Sequence, residues 1–390
     1  MYTFAKIVNQ SANEKKAPSE KKNEVPENKE AAEKPPVTKE EENKKDEKKS
    51  DSAEKKKKNI GSKESGENKK TNIGEAVCND EERKERWLIY ASSVLDTNMI
   101  TTEFASVAGY IPSSISRTEW LKNMRDNRFM DIVCMDHSRV ILHTGGYIHA
   151  SWITISDDKK AIATQLPLPH TASRFWRMIL ENGVKGVLLL ITEEEYKQMG
   201  GEFTFPASQD FLYFKEGSLR VGEFQRVTIK NNWTMRVISV TNGNKKSFIH
   251  LHHLSSWPHG KTPSDLIDLW QVQSVMRKYS GPHVYVSLSG CGRAGTFATF
   301  EVAHASLHKE RLTSFSVEES LKQVRAGRLH AVQNAAQYSS VHSLLAEHIL
   351  NNGVSKLVTC RGSENPEENV RKLIDSLVLP LADDQDGVAG

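Results

Sequence analysis

Residues 284–295 read Val-Tyr-Val-Ser-Leu-Ser-Gly-Cys-Gly-Arg-Ala-Gly, an apolar strand running into a glycine-rich turn that holds one arginine and opens a helix. Gly290, Gly292 and Gly295 let such a turn fold until successive N–H groups point inward, and the helix expected over 296–308 adds its positive end. Arg293 supplies a planar fork for phosphate oxygens. Ser287, Leu288, Ser289, Gly290, Cys291, Gly292 and Arg293 are therefore expected to form a phosphate cradle. A cradle that also cleaves a phosphoester needs a thiolate where the strand ends, because a sulfur that ionises near neutral pH attacks phosphorus unaided. Ser287 stands there instead, and its neighbour Val286 cannot serve as a base. Cys291 is the only thiol in the loop and sits near the top of the turn, where packing against the helix or strand is expected and a redox role is the alternative.

Positioning this loop calls for a layered α/β domain. Helical spacing of Trp87, Ile89, Tyr90, Val94, Leu95 and Phe104 runs through 82–110, and a further helix fits 118–123. Strand patterns follow at 131–134, 138–142, 147–155 and 161–165, separated by turn residues such as Thr144-Gly145-Gly146 and Asp157-Asp158. A helix fits 172–182, and the wholly apolar run 186–191 reads as a strand buried on both faces. Strands at 219–229, 233–241 and 246–254 look antiparallel, and helices fit 263–279, 316–325 and 334–350. These elements amount to one α/β domain of roughly 270 residues, 82–351, with helices on both sides of a central mixed sheet.

Composition divides the chain around that domain. Of 390 residues 26% are charged and 37% hydrophobic, but residues 11–70 are mostly Lys, Glu, Asn, Ser, Ala and Pro with no aromatic side chain. Burial there cannot offset the entropy of ordering, so 1–81 is expected to be a disordered Lys/Glu-rich tail. Its run Lys55 to Lys58, with Lys69 and Lys70, could serve as a nuclear-import or nucleic-acid patch; interspersed glutamates favour a plain solvated run. A formal net charge of +3 is too small to argue for a nucleic-acid partner. No apolar run reaches the roughly eighteen residues of a membrane span, and the first ten residues are too short for a secretory core. A monomer in the cytoplasm is expected, with the nucleus as a second compartment. Cys78, Cys134, Cys291 and Cys360 are widely separated, so neither a metal site nor a disulfide is expected, and no cofactor. In the C-terminal stretch 352–390, Asn365-Pro366-Glu367-Glu368 is a helix start, and Val370, Leu373, Ile374, Leu377 and Val378 would share one face of a short amphipathic helix at 366–379. That helix could meet a partner or pack back on the domain.

The loop at Ser287–Arg293 resembles the signature loop of the protein tyrosine phosphatases, His-Cys-Ser-Ala-Gly-x-Gly-Arg-Ser/Thr-Gly. Aligned on Arg293, the family histidine falls on Val286, the nucleophilic cysteine on Ser287, and the hydroxyl residue after the arginine on Ala294. Further motifs stand in the family's order. Asp126-Asn127-Arg128-Phe129-Met130-Asp131 is similar to the phosphotyrosine-recognition loop; Gly146-Tyr147-Ile148-His149-Ala150-Ser151 resembles Asp-Tyr-Ile-Asn-Ala-Ser; Ile162-Ala163-Thr164-Gln165-Leu166-Pro167 resembles Ile-Ala-Thr-Gln-Gly-Pro. Phe175-Trp176-Arg177-Met178 is similar to the helix that follows, Trp257-Pro258-His259 stands where the family has Trp-Pro-Asp, and Val332-Gln333-Asn334-Ala335-Ala336-Gln337-Tyr338 is similar to its glutamine loop.

The resemblance implies a tyrosine phosphatase-like fold with a highly twisted mixed sheet, and four family catalytic positions, Ser287, His259, Arg293 and Gln333. None is expected to sustain turnover. An imidazolium at His259 could donate a proton near about pH 6.5, but the lysine motif that supports its loop is replaced by Gly200-Gly201-Glu202-Phe203-Thr204-Phe205-Pro206. The resemblance also implies that Phe129 stacks on a phosphotyrosine ring, that Asp131 accepts from peptide backbone, and that Gln333 and Gln337 hold water or phosphate. Leu166, in place of the loop glycine, would crowd the pocket floor or its neighbours. The losses fall on activation and spare phosphate binding. The expected function is an inactive phosphatase-like domain, a pseudophosphatase, that binds phosphotyrosine-containing proteins or kinases. Its alternatives are a phosphate-independent scaffold and an enzyme of altered chemistry.

Overall fold

The computed structural model describes residues 97–207, 211–308 and 315–351. Helices α1 (Thr97–Ala108) and α2 (Thr118–Lys122) precede strands β1 (Ala150–Thr154) and β2 (Lys160–Gln165). Next come α3 (Ala172–Glu181), β3 (Gly186–Leu190), α4 (Glu193–Gln198), and strands β4 (Phe211–Phe214), β5 (Leu219–Lys230), β6 (Trp233–Asn242) and β7 (Lys245–Leu254). The chain then runs through α5 (Leu266–Met276), β8 (His283–Ser287), α6 (Arg293–Leu307), α7 (Val317–Gly327) and α8 (Ala335–Asn351).

All eight strands join one sheet in the order β1-β2-β8-β3-β7-β6-β5-β4. The centre is parallel, with β2, β8, β3 and β7 running alike, and both flanks are antiparallel. Parallel strands end on the same side, so Gln165, Ser287, Leu190 and Leu254 lie along one rim, where α/β sheets hold their ligands. Every residue of β3 and β8 is buried, because helices cover both faces. Helix α6 packs against α7 and α8 and buries nearly its whole circumference, Phe297, Phe300 and Val302 included.

Local chemistry sets the boundaries. The Asp265 carboxylate accepts the Asp268 N–H at 3.0 Å and starts α5 at Leu266, later than the pattern suggested; Ser316 caps α7 through the Glu319 N–H at 3.2 Å. Helix α6 begins at Arg293, three residues before the sequence reading, with Gly292 as its N-cap. Two expected strands are corrected. Residues 131–134 and 138–142 form no strand: Ile132, Val133, Cys134 and Met135 are buried without a ladder partner, and only an isolated bridge joins Arg139 to Ser151. The predicted strand 147–155 shortens to β1. Strand β4 and helix α4 are additions to the elements expected from the sequence; the former pairs with β5 as an edge strand. The tail 1–81, the helical residues Trp87 to Leu95, and the helix at 366–379 lie outside the described residues. No helix among the described residues is long and apolar enough to cross a membrane.

Candidate phosphate-binding site

The rim brings four connections together: Leu166 after β2, Glu195 after β3, His259 after β7 and the Ser287–Arg293 loop after β8. Gly290 adopts φ +71°, and a Cβ there would meet the Thr164 carbonyl at 2.7 Å and Arg328 at 2.8 Å, so only glycine fits the tightest point of the turn. Arg328 is fully buried and fastens the loop from beneath, donating to the Ser289 carbonyl at 2.7 Å and to Ser151 Oγ at 3.1 Å. It also donates to Nδ1 of His149 at 3.0 Å, which leaves Nε2–H of that ring for the Ile132 carbonyl at 3.0 Å. Burial first, then the Arg328 charge, pushes His149 down to about 3, so it stays neutral.

At the floor, Ser287 is buried and its Oγ accepts N–H bonds from Gly290 at 3.1 Å and Ala294 at 3.4 Å. The hydroxyl takes up amide donors without a base beside it; Val286 is fully buried. Cys291 Sγ faces the Leu329 carbonyl at 3.4 Å, and burial raises its thiol above the ordinary value, which keeps it protonated. Both cysteines among the described residues, Cys134 and Cys291, are free.

Arg293 heads α6, with its side chain only 2% exposed. Nη1 donates to Glu195 Oε2 at 2.6 Å and to the Trp257 carbonyl at 2.7 Å; Nη2 donates to Glu195 Oε1 at 3.0 Å. These bonds use three of a guanidinium's five N–H groups. Nε–H and the second Nη2 hydrogen lie together on the remaining edge, a fork that matches two phosphate oxygens. Glu195 is doubly employed, since Oε2 also accepts the Thr192 N–H at 2.8 Å while Thr192 Oγ1 accepts the Glu195 N–H at 3.2 Å. That capping box fixes the carboxylate before it meets Arg293.

His259 lies exposed on the loop after Trp257-Pro258. Partial desolvation, then the Arg293 charge, holds its imidazolium below the ordinary histidine range, so at neutral pH the uncharged ring, a far weaker acid, predominates. Asn334 Nδ2 ties this loop to the glutamine loop through the Gly260 carbonyl at 2.9 Å. Gln333 N–H donates to Gln337 Oε1 at 2.8 Å, and both amides crowd Gly292: a Cβ there would lie 2.7 Å from Gln333 Oε1 and 2.9 Å from Gln337 Nε2. The two glutamines thus stand against the cradle.

A profile of the protein-tyrosine phosphatase family matches residues 123–347. The chain belongs to that family. Tyrosine-protein phosphatase non-receptor type 18 of Mus musculus is 30% identical over 239 residues, 58% of this chain and 52% of that protein. Receptor-type tyrosine-protein phosphatase alpha of Homo sapiens is 30% identical over 246 residues, 59% of this chain and 30% of that protein. The chain therefore spans about half the length of the first relative and less of the second. The solved catalytic domain of human protein tyrosine phosphatase non-receptor type 18 superposes with a TM-score of 0.56 at 25% identity, covering 68% of this chain and 98% of the other. A structure of PTPN18 described for its fingerprint on distinct HER2 tyrosine phosphorylation sites gives a TM-score of 0.62 at 24% identity, over 69% and 99%.

The residues matching the family's recognition loop are also placed. Phe129 is half-buried and Asp131 exposed, and Arg128 anchors the loop, donating to the Leu166 and Pro167 carbonyls at 2.9 Å each. The Arg128 N–H adds a bond to Gln165 Oε1 at 2.9 Å. Leu166 is wholly buried and its N–H donates to the Ser287 carbonyl at 2.7 Å, joining β2 to the cradle's first residue. In place of the family's lysine motif, Trp176 donates to the Thr204 carbonyl at 2.8 Å, and Phe205 packs edge-on against Phe175 and Trp176. Sequence reasoning missed Glu195 and Arg328, and it quoted His149 and Asn334 within motifs without giving either a role. One signal pointed to Glu195: a threonine and three glutamates directly after the most apolar strand, at the rim where ligands bind.

Proposed function

We propose that this domain is a pseudophosphatase: it binds phosphotyrosine-bearing proteins, phosphorylated kinases among them, and shields or scaffolds them without hydrolysis. The observation that carries the reading is the division of labour at Arg293 and Ser287. Arg293 is pinned on one edge by Glu195 and keeps a second edge for phosphate, whereas Ser287 offers a hydroxyl engaged by two amides and no base. A neutral serine also removes the repulsion that a thiolate would exert on a dianionic phosphate. The His259 ring, neutral at physiological pH, forgoes a leaving-group acid, a loss of about 10²- to 10⁴-fold in rate on its own. Phe129 and Asp131 would read the ring and the peptide backbone.

Titration of a fluorescent phosphotyrosine peptide, with its unphosphorylated twin as control, tests this. Arg293→Met should weaken binding at least about tenfold. Because that change strands Glu195 in the interior, Arg293→Met combined with Glu195→Met keeps the fold testable. Binding that ignores both variants favours a phosphate-independent scaffold, the reading supported by the near-complete burial of Arg293.

A further inference from the structure

Beyond the phosphate site, the described residues hold a second polar cluster, on α6, α8 and α5. His304 lies in the last turn of α6, His308 caps that helix's C-terminus, and His348 meets them from α8. One ring nitrogen from each lies within 4.8 Å of the others, and the Nε2 atoms of His308 and His348 are 3.1 Å apart. Two nitrogens sharing a tetrahedral zinc stand roughly 3.3 Å apart, so that pair already has ligand spacing. A second observation points the same way. Glu301, one turn before His304 on the same helix, is 1% exposed and neither carboxylate oxygen has a hydrogen bond among the described residues. Its cations stand off, Lys159 at 3.7 Å and Arg277 at 3.9 Å. Arg277 turns its other end to Nδ1 of His304 at 2.7 Å.

We propose that His304, His308 and His348 bind one divalent transition metal of the zinc class, joining α6 to α8. Imidazole nitrogens suit Zn²⁺, Ni²⁺ or Cu²⁺, and three of them leave one position for water. Arg277, against Nδ1 of His304, stands beside the position the metal's charge would take; on binding it withdraws to the buried Glu301 carboxylate. Trp270 Nε1–H donates to Nδ1 of His348 at 3.3 Å, so the His348 proton sits on Nε2 and points at His308. Coordination through Nε2 moves that proton to Nδ1 and turns Trp270 away, at the cost of one long hydrogen bond. The sequence expectation of no metal rested on cysteine spacing. These ligands come from helices 40 residues apart, and spacing along the chain does not announce them.

Calorimetric titration of the full chain with zinc chloride at pH 7.5, following Trp270 emission in parallel, tests the site. One equivalent should bind. At a hundredfold excess over Kd it should raise Tm by roughly 5–10 °C. His308→Gln, at a half-buried position, should weaken binding on the order of a hundredfold, and Arg277→Met should tighten it about tenfold by removing the competing cation. His170→Gln, at an exposed histidine paired with Asp126, should change nothing. No stoichiometric binding, or binding indifferent to His308→Gln, overturns the proposal. So does weaker binding in Arg277→Met.

Discussion

Acidification from pH 7.5 to 5 should unfold this domain, and the cause is its interior histidines. Burial first of all depresses His149, His342 and His348 to about 3, and His252 and His283 to about 4. In the unfolded chain each returns to about 6.5. The unfolded state therefore binds more protons below that value, and stability, complete above it, falls as pH drops towards the folded values. At pH 5 each unfolded ring is protonated and each folded ring neutral, a difference of about 2 kcal/mol per histidine. Five such groups sum to roughly 10 kcal/mol, comparable to the whole stability of an ordinary domain. Thermal melts by near-ultraviolet circular dichroism at pH 7.5, 6.5, 5.5 and 5 should show Tm falling by at least about 10 °C before pH 5.5. His342→Phe, which removes one buried titrating ring from α8, should recover about 2 kcal/mol of the loss at pH 5. A Tm that stays flat from pH 7.5 to 5, or a slope untouched by His342→Phe, would refute the reasoning.

Other perturbations follow from the same contacts. Glu195→Gln leaves Arg293 buried against a neutral amide and should cost about 3–5 kcal/mol, read as a fall in the urea midpoint. Leu166→Gly, which restores the family residue, should destabilise by about 2–5 kcal/mol because the leucine is fully buried, and urea unfolding would reveal it. Phosphate release from an aryl phosphate should be indistinguishable between the wild type and Ser287→Ala; a clear drop would show that the serine turns over. Ser287→Cys combined with His259→Asp should raise that release by about 10² or more, since thiolate and acid return together to an intact cradle.

The sequence exposed the cradle because its parts are consecutive: three glycines, an arginine and a strand–turn–helix switch fall within twelve letters. The central strands were equally plain, because β3 has no polar side chain and β8 carries Val284, Tyr285 and Val286 in a row, and both are buried along their whole length. What holds Arg293 was hidden. Glu195 lies 98 residues away and Arg328 reaches the loop across 39, and no periodicity encodes such separations. The error at 131–134 has a simple origin. A short apolar run reports burial, whereas a strand also needs a neighbour for its backbone, and Ile132 to Met135 have none in a ladder. The sequence aligns His259 with the family's acid position, but the effect of Arg293 on its protonation needed the fold.

The most direct measurement follows one phosphotyrosine peptide by ³¹P NMR in the presence of equimolar protein. Binding without turnover requires the phosphotyrosine resonance to shift or broaden, to sharpen again with Arg293→Met plus Glu195→Met, and to persist for hours with no inorganic phosphate. An unchanged resonance, or growth of an inorganic phosphate signal that Ser287→Ala abolishes, contradicts the account.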